Sequence, residues 1–161
     1  MENLSDLHDL QRFVTAQDQG GTYERALAEL RAGRKTSHWM WFVFPQIAGL
    51  GQSAMSRRYA IQSLEEARVY LDHPMLGPRL VECAQALLAH EGLAAREILG
   101  DIDAVKLRSS MTLFAQAALL ARPQKTAYNA VSRGLDEDEA FDLVLERFFG
   151  GEPDQATLGS I

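Results

Sequence analysis

The sequence predicts an all-α fold, a single compact, bundle-like domain of several short helices around one long buried helix at about 104–122. Three observations carry this reading. Apolar residues recur at helical spacing through nearly the whole chain, the intervals between them are punctuated by Gly and Pro, and only Trp39 to Pro45 has the continuous apolar character of a buried strand. At 161 residues the chain can bury one self-sufficient core. No repeat, low-complexity tract or Ser/Pro linker divides it, so residues 1–161 read as one domain.

Taken in order, Leu7, Leu10 and Val14 mark a first helix that ends before Gly20-Gly21. Thr22 opens a second, with Tyr23, Leu27 and Leu30 on one face and Gly33 as its stop. Ser63 followed by Glu66 is a capping-box pattern, opening a helix through Ala67 and Leu71 that Pro74 ends. His73, just before that proline, reads as a helix C-terminal residue favoured by the dipole. Gly77-Pro78 starts the next helix with Pro78 at the first helical position, where its missing N–H costs nothing; Leu80, Ala84, Leu87 and Leu88 follow before Gly92. A short turn of helix from Ala94 to Leu99 stops at Gly100, and Asp101 or Asp103 then caps the long helix. Leu107, Met111, Phe114 and Ala118 form its seam, while Val105, Leu113, Leu119 and Leu120 spread apolar surface around the rest, which predicts burial on most sides. Pro123 ends it. A helix over Lys125 to Arg133 is closed by Gly134, and Asp136 with Glu139 opens a last one that buries Phe141, Val144, Leu145 and Phe148. Gly150-Gly151 releases a short tail.

Charge and composition narrow the function. With 16 Lys+Arg against 22 Asp+Glu the net charge is −6, so no broad basic field exists and duplex nucleic acid is not an expected partner. The longest apolar run is far too short to span a bilayer, so no membrane partner is expected. The lone Cys83 excludes an intramolecular disulfide, and the polar start from Met1 to Asp9 does not read as a signal peptide; the expected location is cytoplasmic. H-E-x-x-H, C-x-x-C and G-x-S-x-G are all missing, so no metal site or serine elbow is expected, and Cys83 reads as an inert core thiol. No cofactor is indicated.

Residues 34–56 break the helical pattern. Trp39, Trp41, Phe42 and Phe44 cluster without amphipathic period, with Lys35, Ser37 and His38 before them and Gln46, Gly49, Gly51 and Ser53 after. An apolar wall bracketed by a few polar groups is the composition of a small-molecule site; the plainer reading makes the aromatics core. Gly33-Arg34-Lys35-Thr36 lacks the glycine that a phosphate loop needs directly before its lysine. Gly49-Leu50-Gly51-Gln52-Ser53-Ala54 fits the dinucleotide fingerprint in letters only, because Pro45 breaks the approach and no further β-branched runs exist to build a sheet. Gly49 and Gly51 therefore read as a turn with positive φ or a close backbone approach. His38 is the only histidine beside the cluster, and imidazole is suited to general acid–base work at neutral pH. On the long helix, Ser109 and Ser110 each project within about 60° of Lys106, a polar notch whose groups need partners if buried.

The run Ser37-His38-Trp39-Met40-Trp41-Phe42-Val43-Phe44-Pro45-Gln46, followed by Gly49-Leu50-Gly51 and Ser53, resembles the signature of the bacterial Domain of Unknown Function 1810 family. Arg12-Phe13, Tyr23, Tyr59, His73-Pro74, Lys106-Leu107 and Ser109 to Phe114 agree with it, and the resemblance spans about residues 6–158. It implies a compact all-helical cytoplasmic domain and supplies no reaction. Some members carry the label calpastatin, but inhibitor repeats of that kind belong to disordered, repetitive chains, and this chain is neither.

The leading expectation is that the aromatic segment and the long helix face one another around a pocket for a small anionic, nucleotide-like ligand. Lys35 and Lys106 bind its charge, Trp39 or Trp41 stacks on a ring, and Gln46 and Ser109 orient it, with Ser37, Gly49, Gly51, Ser53 and Ser110 alongside. His38 transfers protons if the site carries out metal-independent hydrolysis or group transfer. Arg34, Arg57 and Arg58 join the two lysines in a rim that runs against the acidic whole. The alternative is a non-enzymatic protein-interaction module in which the aromatic signature is structural core.

Overall fold

In the computed structural model, which describes residues 4–121 and 135–161, the apolar stripes fold into short helices stacked around one long one. The elements are α1 (Leu4–Leu7), α2 (Gln11–Asp18), a 3₁₀ turn (Gln19–Gly21), α3 (Thr22–Ala32), α4 (Met40–Val43), α5 (Ala54–Arg58) and α6 (Leu64–Asp72). They continue with α7 (Leu76–Leu88), α8 (Ala95–Leu99), α9 (Asp101–Ala121), α10 (Leu135–Phe149) and α11 (Gln155–Leu158). The α9 helix packs against α6, α8, α10 and α11, while α7 lies against α3, α6 and α10. A chain of rings ties the layers together: Phe13 of α2 meets Tyr70 of α6 at 5.2 Å, Tyr70 meets Phe114 of α9 at 5.1 Å, and Phe114 meets Phe141 of α10 at 6.0 Å. Such tilted and edge-on pairs add to the burial of large apolar surfaces. The all-α expectation holds. Among the described residues the β character is limited to one parallel bridge, in which Gln46 O accepts the Ile61 N–H and Ile61 O accepts the Ala48 N–H, both at 2.8 Å.

Several boundaries differ from the sequence reading, each for a local reason. The first helix is two, because Asp9 turns to φ 51 and the Arg12 guanidinium closes the break by donating to His8 O and Asp9 O. Gly21, at φ 71, precedes α3 where Thr22 was expected as the cap, and Thr22 instead donates its hydroxyl to Gln19 O. Pro78 falls at the third residue of α7, not the first. His73 supplies the missing cap: its Nδ1 accepts the Met75 and Leu76 N–H groups at 3.1 and 3.2 Å. Only a neutral imidazole can accept there, and burial with the nearby Arg79 charge lowers the His73 pKa. Expected as a cation on the dipole of α6, His73 works as a neutral acceptor for α7. The corner between those helices also requires Gly77, since a Cβ there would lie 2.1 Å from the Leu71 carbonyl oxygen.

The α9 helix begins at Asp101, and Gly100, at φ 89, supplies the carbonyl that accepts the Ala104 N–H at 2.9 Å. Asp101 and Asp103 are thus acids of the first turn and not caps. Burial on most sides holds through the middle of the helix, where residues 109–115 are all buried, and gives way at its ends: Val105 is 64% exposed, and Leu119 and Leu120 are open as well. The Lys125–Arg133 helix lies outside the described residues.

Candidate functional site

Glu29, on α3, organises the start of the aromatic segment. Its carboxylate accepts the Thr36 and Ser37 N–H groups at 2.8 and 3.0 Å, the Ser37 hydroxyl at 2.6 Å and the Trp39 indole N–H at 2.9 Å. Burial pushes the Glu29 carboxyl up, but these four donors more than offset that and hold it at about 2. The Lys35 N–H donates to Ile98 O at 2.7 Å, so residues 35–39 are strapped between α3 and the end of α8.

That strap delivers Lys35 to the long helix. Its Nζ lies 5.1 Å above the Trp39 ring and 2.9 Å from the Asp103 carboxylate on the first turn of α9. Lys106, three residues further, reaches the other oxygen of Asp103 at 3.7 Å and sits 5.4 Å from the Trp41 ring. The three charged side chains are only 10, 17 and 23% exposed for Lys35, Asp103 and Lys106, so two ammonium groups share one carboxylate in a partly desolvated setting. These three groups alone carry one net positive charge, which the ionised Glu29 at the Trp39 indole N–H offsets, and both ammonium groups lie against indole faces that favour cations.

Trp41 carries the site onward. The single helical turn Met40–Val43 buries Met40, Phe42 and Val43 and leaves Trp41 half-buried. It lines a cleft of about 120 Å³ together with Gln46, Gly49, Gly51, Ser56 and Arg57, and Ile47, Ala48, Tyr59, Ala60 and Gln62 complete the lining. The two glycines have separate reasons to be there. Gly49 takes φ 98, and a Cβ on Gly51 would fall 2.5 Å from the Ser56 hydroxyl.

The predicted residues therefore divide. Lys35, Lys106, Trp39 and Trp41 come together around Asp103, and Trp41, Gln46, Gly49 and Gly51 come together in the cleft. Trp39 is wholly buried with its indole N–H engaged, so its ring belongs to the core, and of the two tryptophans Trp41 alone keeps exposed surface. The Ser37 hydroxyl is held by Glu29, and Ser53 caps α5 by accepting the Ser56 N–H at 3.1 Å. The serine pair on α9 separates. Ser109 donates to Asp154 at 3.0 Å and faces the C-terminal tail, whereas Ser110 is wholly buried and its Oγ has no hydrogen-bond partner among the described residues. His38 is exposed, lies outside the cleft lining, and no hydrogen bond among the described residues orients its ring. Cys83 is a buried thiol that burial pushes up to about 12.

Glu29 and Asp103 are the site residues that periodicity missed. Glu29 sits beside charged neighbours on α3 and resembles any solvated acid; its one signal is the dense run of donors at Thr36, Ser37 and Trp39 a few residues on. Asp103 fits a cap position equally well, and its pairing with Lys106 at i, i+3 is the pattern that distinguishes the two roles. Among the described residues, no group of three His, Cys, Asp or Glu side chains is placed to hold a metal ion, and no helix is long and apolar enough to cross a membrane.

The same arrangement of helices occurs in a solved structure. The crystal structure of the conserved hypothetical protein Rv1873 from Mycobacterium tuberculosis is 45% identical, with a TM-score of 0.81 and 96% of each chain covered. None of the curated proteins matches this chain. Residues 7–161 match the family described as "Protein of unknown function (DUF1810)". The chain belongs to the DUF1810 family, which the signature around Trp39 and Trp41 had pointed to.

Proposed function

We propose that this protein binds a small anionic ligand at Trp41, with the anionic group between Lys106 and the cleft. One observation carries the reading: the half-buried Trp41 ring is shared, holding the Lys106 ammonium at 5.4 Å and lining the cleft with Gln46, Gly49, Gly51, Ser56 and Arg57. Trp41 thus stands between the Lys106 cation, outside the lining, and a concavity that carries Arg57 and neutral polar groups, although the whole chain is acidic. Size refines the ligand. A cleft of about 120 Å³ is well below the ~300–1,000 Å³ that encloses a drug-sized molecule, so it suits one phosphate or carboxylate group. The ring of a nucleotide-like ligand would rest on the open edge of Trp41. Binding is favoured over turnover, since His38 is exposed and unoriented; metal-independent hydrolysis or transfer would require it to move toward the bound ligand.

The interaction-module reading draws on a different observation, the exposed apolar pair Ile102 and Val105 on α9, 75 and 64% open. The two readings part in a melting experiment. Phosphate monoesters, nucleotides and carboxylates are added at matched ionic strength, and a ligand present at 100 times its Kd should stabilise the fold by about 2.7 kcal/mol, roughly 5–10 °C. Lys106→Met and Trp41→Ala should each remove most of that shift. An unmoved melting temperature across the panel would sink the binding reading and leave the interaction module.

A further inference from the structure

We infer that Tyr59 is a further ligand-binding residue of the cleft, its hydroxyl donating a hydrogen bond to an oxygen of the bound oxyanion. This rests on the binding reading above and adds to it a neutral group that meets the anion from the wall of the cleft.

Tyr59 is held in place from several directions. Its ring lies 5.3 Å from that of Phe42 and 5.9 Å from that of Phe13, and the Arg58 guanidinium stands 5.6 Å from its centroid. Its backbone N–H donates to Met55 O at 3.1 Å. On either side of it in the chain, the Arg12 guanidinium donates to Arg58 O at 2.9 Å and to Ala60 O at 2.8 Å. The residue is only 7% exposed and lines the cleft with Arg57. A side chain ordered in this way loses little freedom when it takes up a ligand.

The hydroxyl is the part that this packing leaves unused. The other buried tyrosines among the described residues engage theirs within the protein: Tyr23 donates to Glu82, and Tyr70 accepts from Gln17 at 3.4 Å. The Tyr59 hydroxyl has no hydrogen-bond partner among the described residues. It is not sealed in the core either, because among those residues the enclosed and unpartnered side-chain atom is Ser110 Oγ. A phenyl ring would fill the same space without losing a protein hydrogen bond, so the core does not require this oxygen. The cleft has a use for it. No Asp or Glu lines the cleft, Arg57 supplies a positive charge, and a phenolic O–H adds a directed donor. Hydrogen bonds with an ionised partner are shorter and stronger than those between neutral groups.

Titration calorimetry on the full chain tests this, with inorganic phosphate and phenyl phosphate as probes at fixed ionic strength. Tyr59→Phe should weaken both about tenfold and by the same factor, since the hydroxyl meets the group that the two probes share. Its midpoint in urea unfolding should equal or exceed that of the wild type, because no protein hydrogen bond is lost. Arg57→Met is run alongside and should also weaken both. Binding unchanged in Tyr59→Phe would overturn the inference, and its loss in Arg57→Met would then leave the site itself standing. A lowered urea midpoint in Tyr59→Phe would overturn it as well, by making the hydroxyl structural. Absence of binding of both probes to the wild type would instead overturn the underlying site, and the inference with it.

Discussion

Glu29 shows how far a single side chain can determine a site it does not line. Four donors from Thr36, Ser37 and Trp39 converge on its carboxylate, and through them the buried Trp39 and the position of Lys35 are set. Hydrogen bonds to a charged group contribute roughly 1.5–3 kcal/mol each, and Glu29→Gln keeps the shape while losing the charge and turning one acceptor into a donor. We expect that variant to lose about 2–3 kcal/mol in urea unfolding at neutral pH. The pH dependence has a definite sign. Because the folded carboxyl titrates at about 2 against an ordinary 4.5, its stabilisation is fully present above about 4.5 and is lost as pH falls toward about 2. The wild type should therefore converge on the Gln variant in acid, and curves that stay parallel down to pH ~2.5 would contradict the assignment. Beyond the run of donors at Thr36, Ser37 and Trp39, little of this was legible in the sequence, since a hydrogen-bond focus depends on where a chain returns in space and not on period.

At the level of elements, periodicity placed the helices and erred at their ends. The stripes at Leu80, Ala84 and Leu87 or at Phe141, Val144 and Leu145 needed only the spacing of apolar residues. The cap of α7 was missed because it comes from a histidine outside the usual capping residues, reaching forward from the end of α6. The burial of α9 was read correctly in its middle and missed only towards its ends: Val105, Leu119 and Leu120 match the core in composition, and only the placement of the other helices decides how far the cover extends. The histidine cap makes its own prediction. A neutral Nδ1 is needed, and burial with Arg79 lowers the folded pKa below 6.5, so protonation disfavours the fold: stability declines once pH falls below about 6.5 and the loss is complete below the lowered value. His73→Asn retains a capping acceptor without titrating, and hydrogen exchange at Met75 and Leu76 should then be insensitive to pH across that range after correction for the intrinsic rate. Unchanged pH dependence in the variant would show that another group is responsible.

Across the whole molecule the net charge of −6 and the local excess of positive charge are compatible because they act over different distances. A long polyanion meets the acidic surface and needs many distributed cations. The one small anion we propose would meet only Lys106, Arg57, Trp41 and Tyr59. The meeting of the aromatic segment with α9 was legible beforehand, since a run of indoles and phenyl rings has to be buried and the polar notch at Lys106 marks where the long helix departs from a simple core face. Which tryptophan remains available was not, because it is settled by Glu29 holding one indole and the turn at Met40–Val43 presenting the other. The account rests on that division of labour, and tryptophan emission tests it most directly. Titration of the wild type with a phosphate monoester should give a saturable emission change that disappears in Trp41→Phe, whose buried Trp39 remains as an internal reference. A saturable change that survives in Trp41→Phe, or none in the wild type, would contradict it.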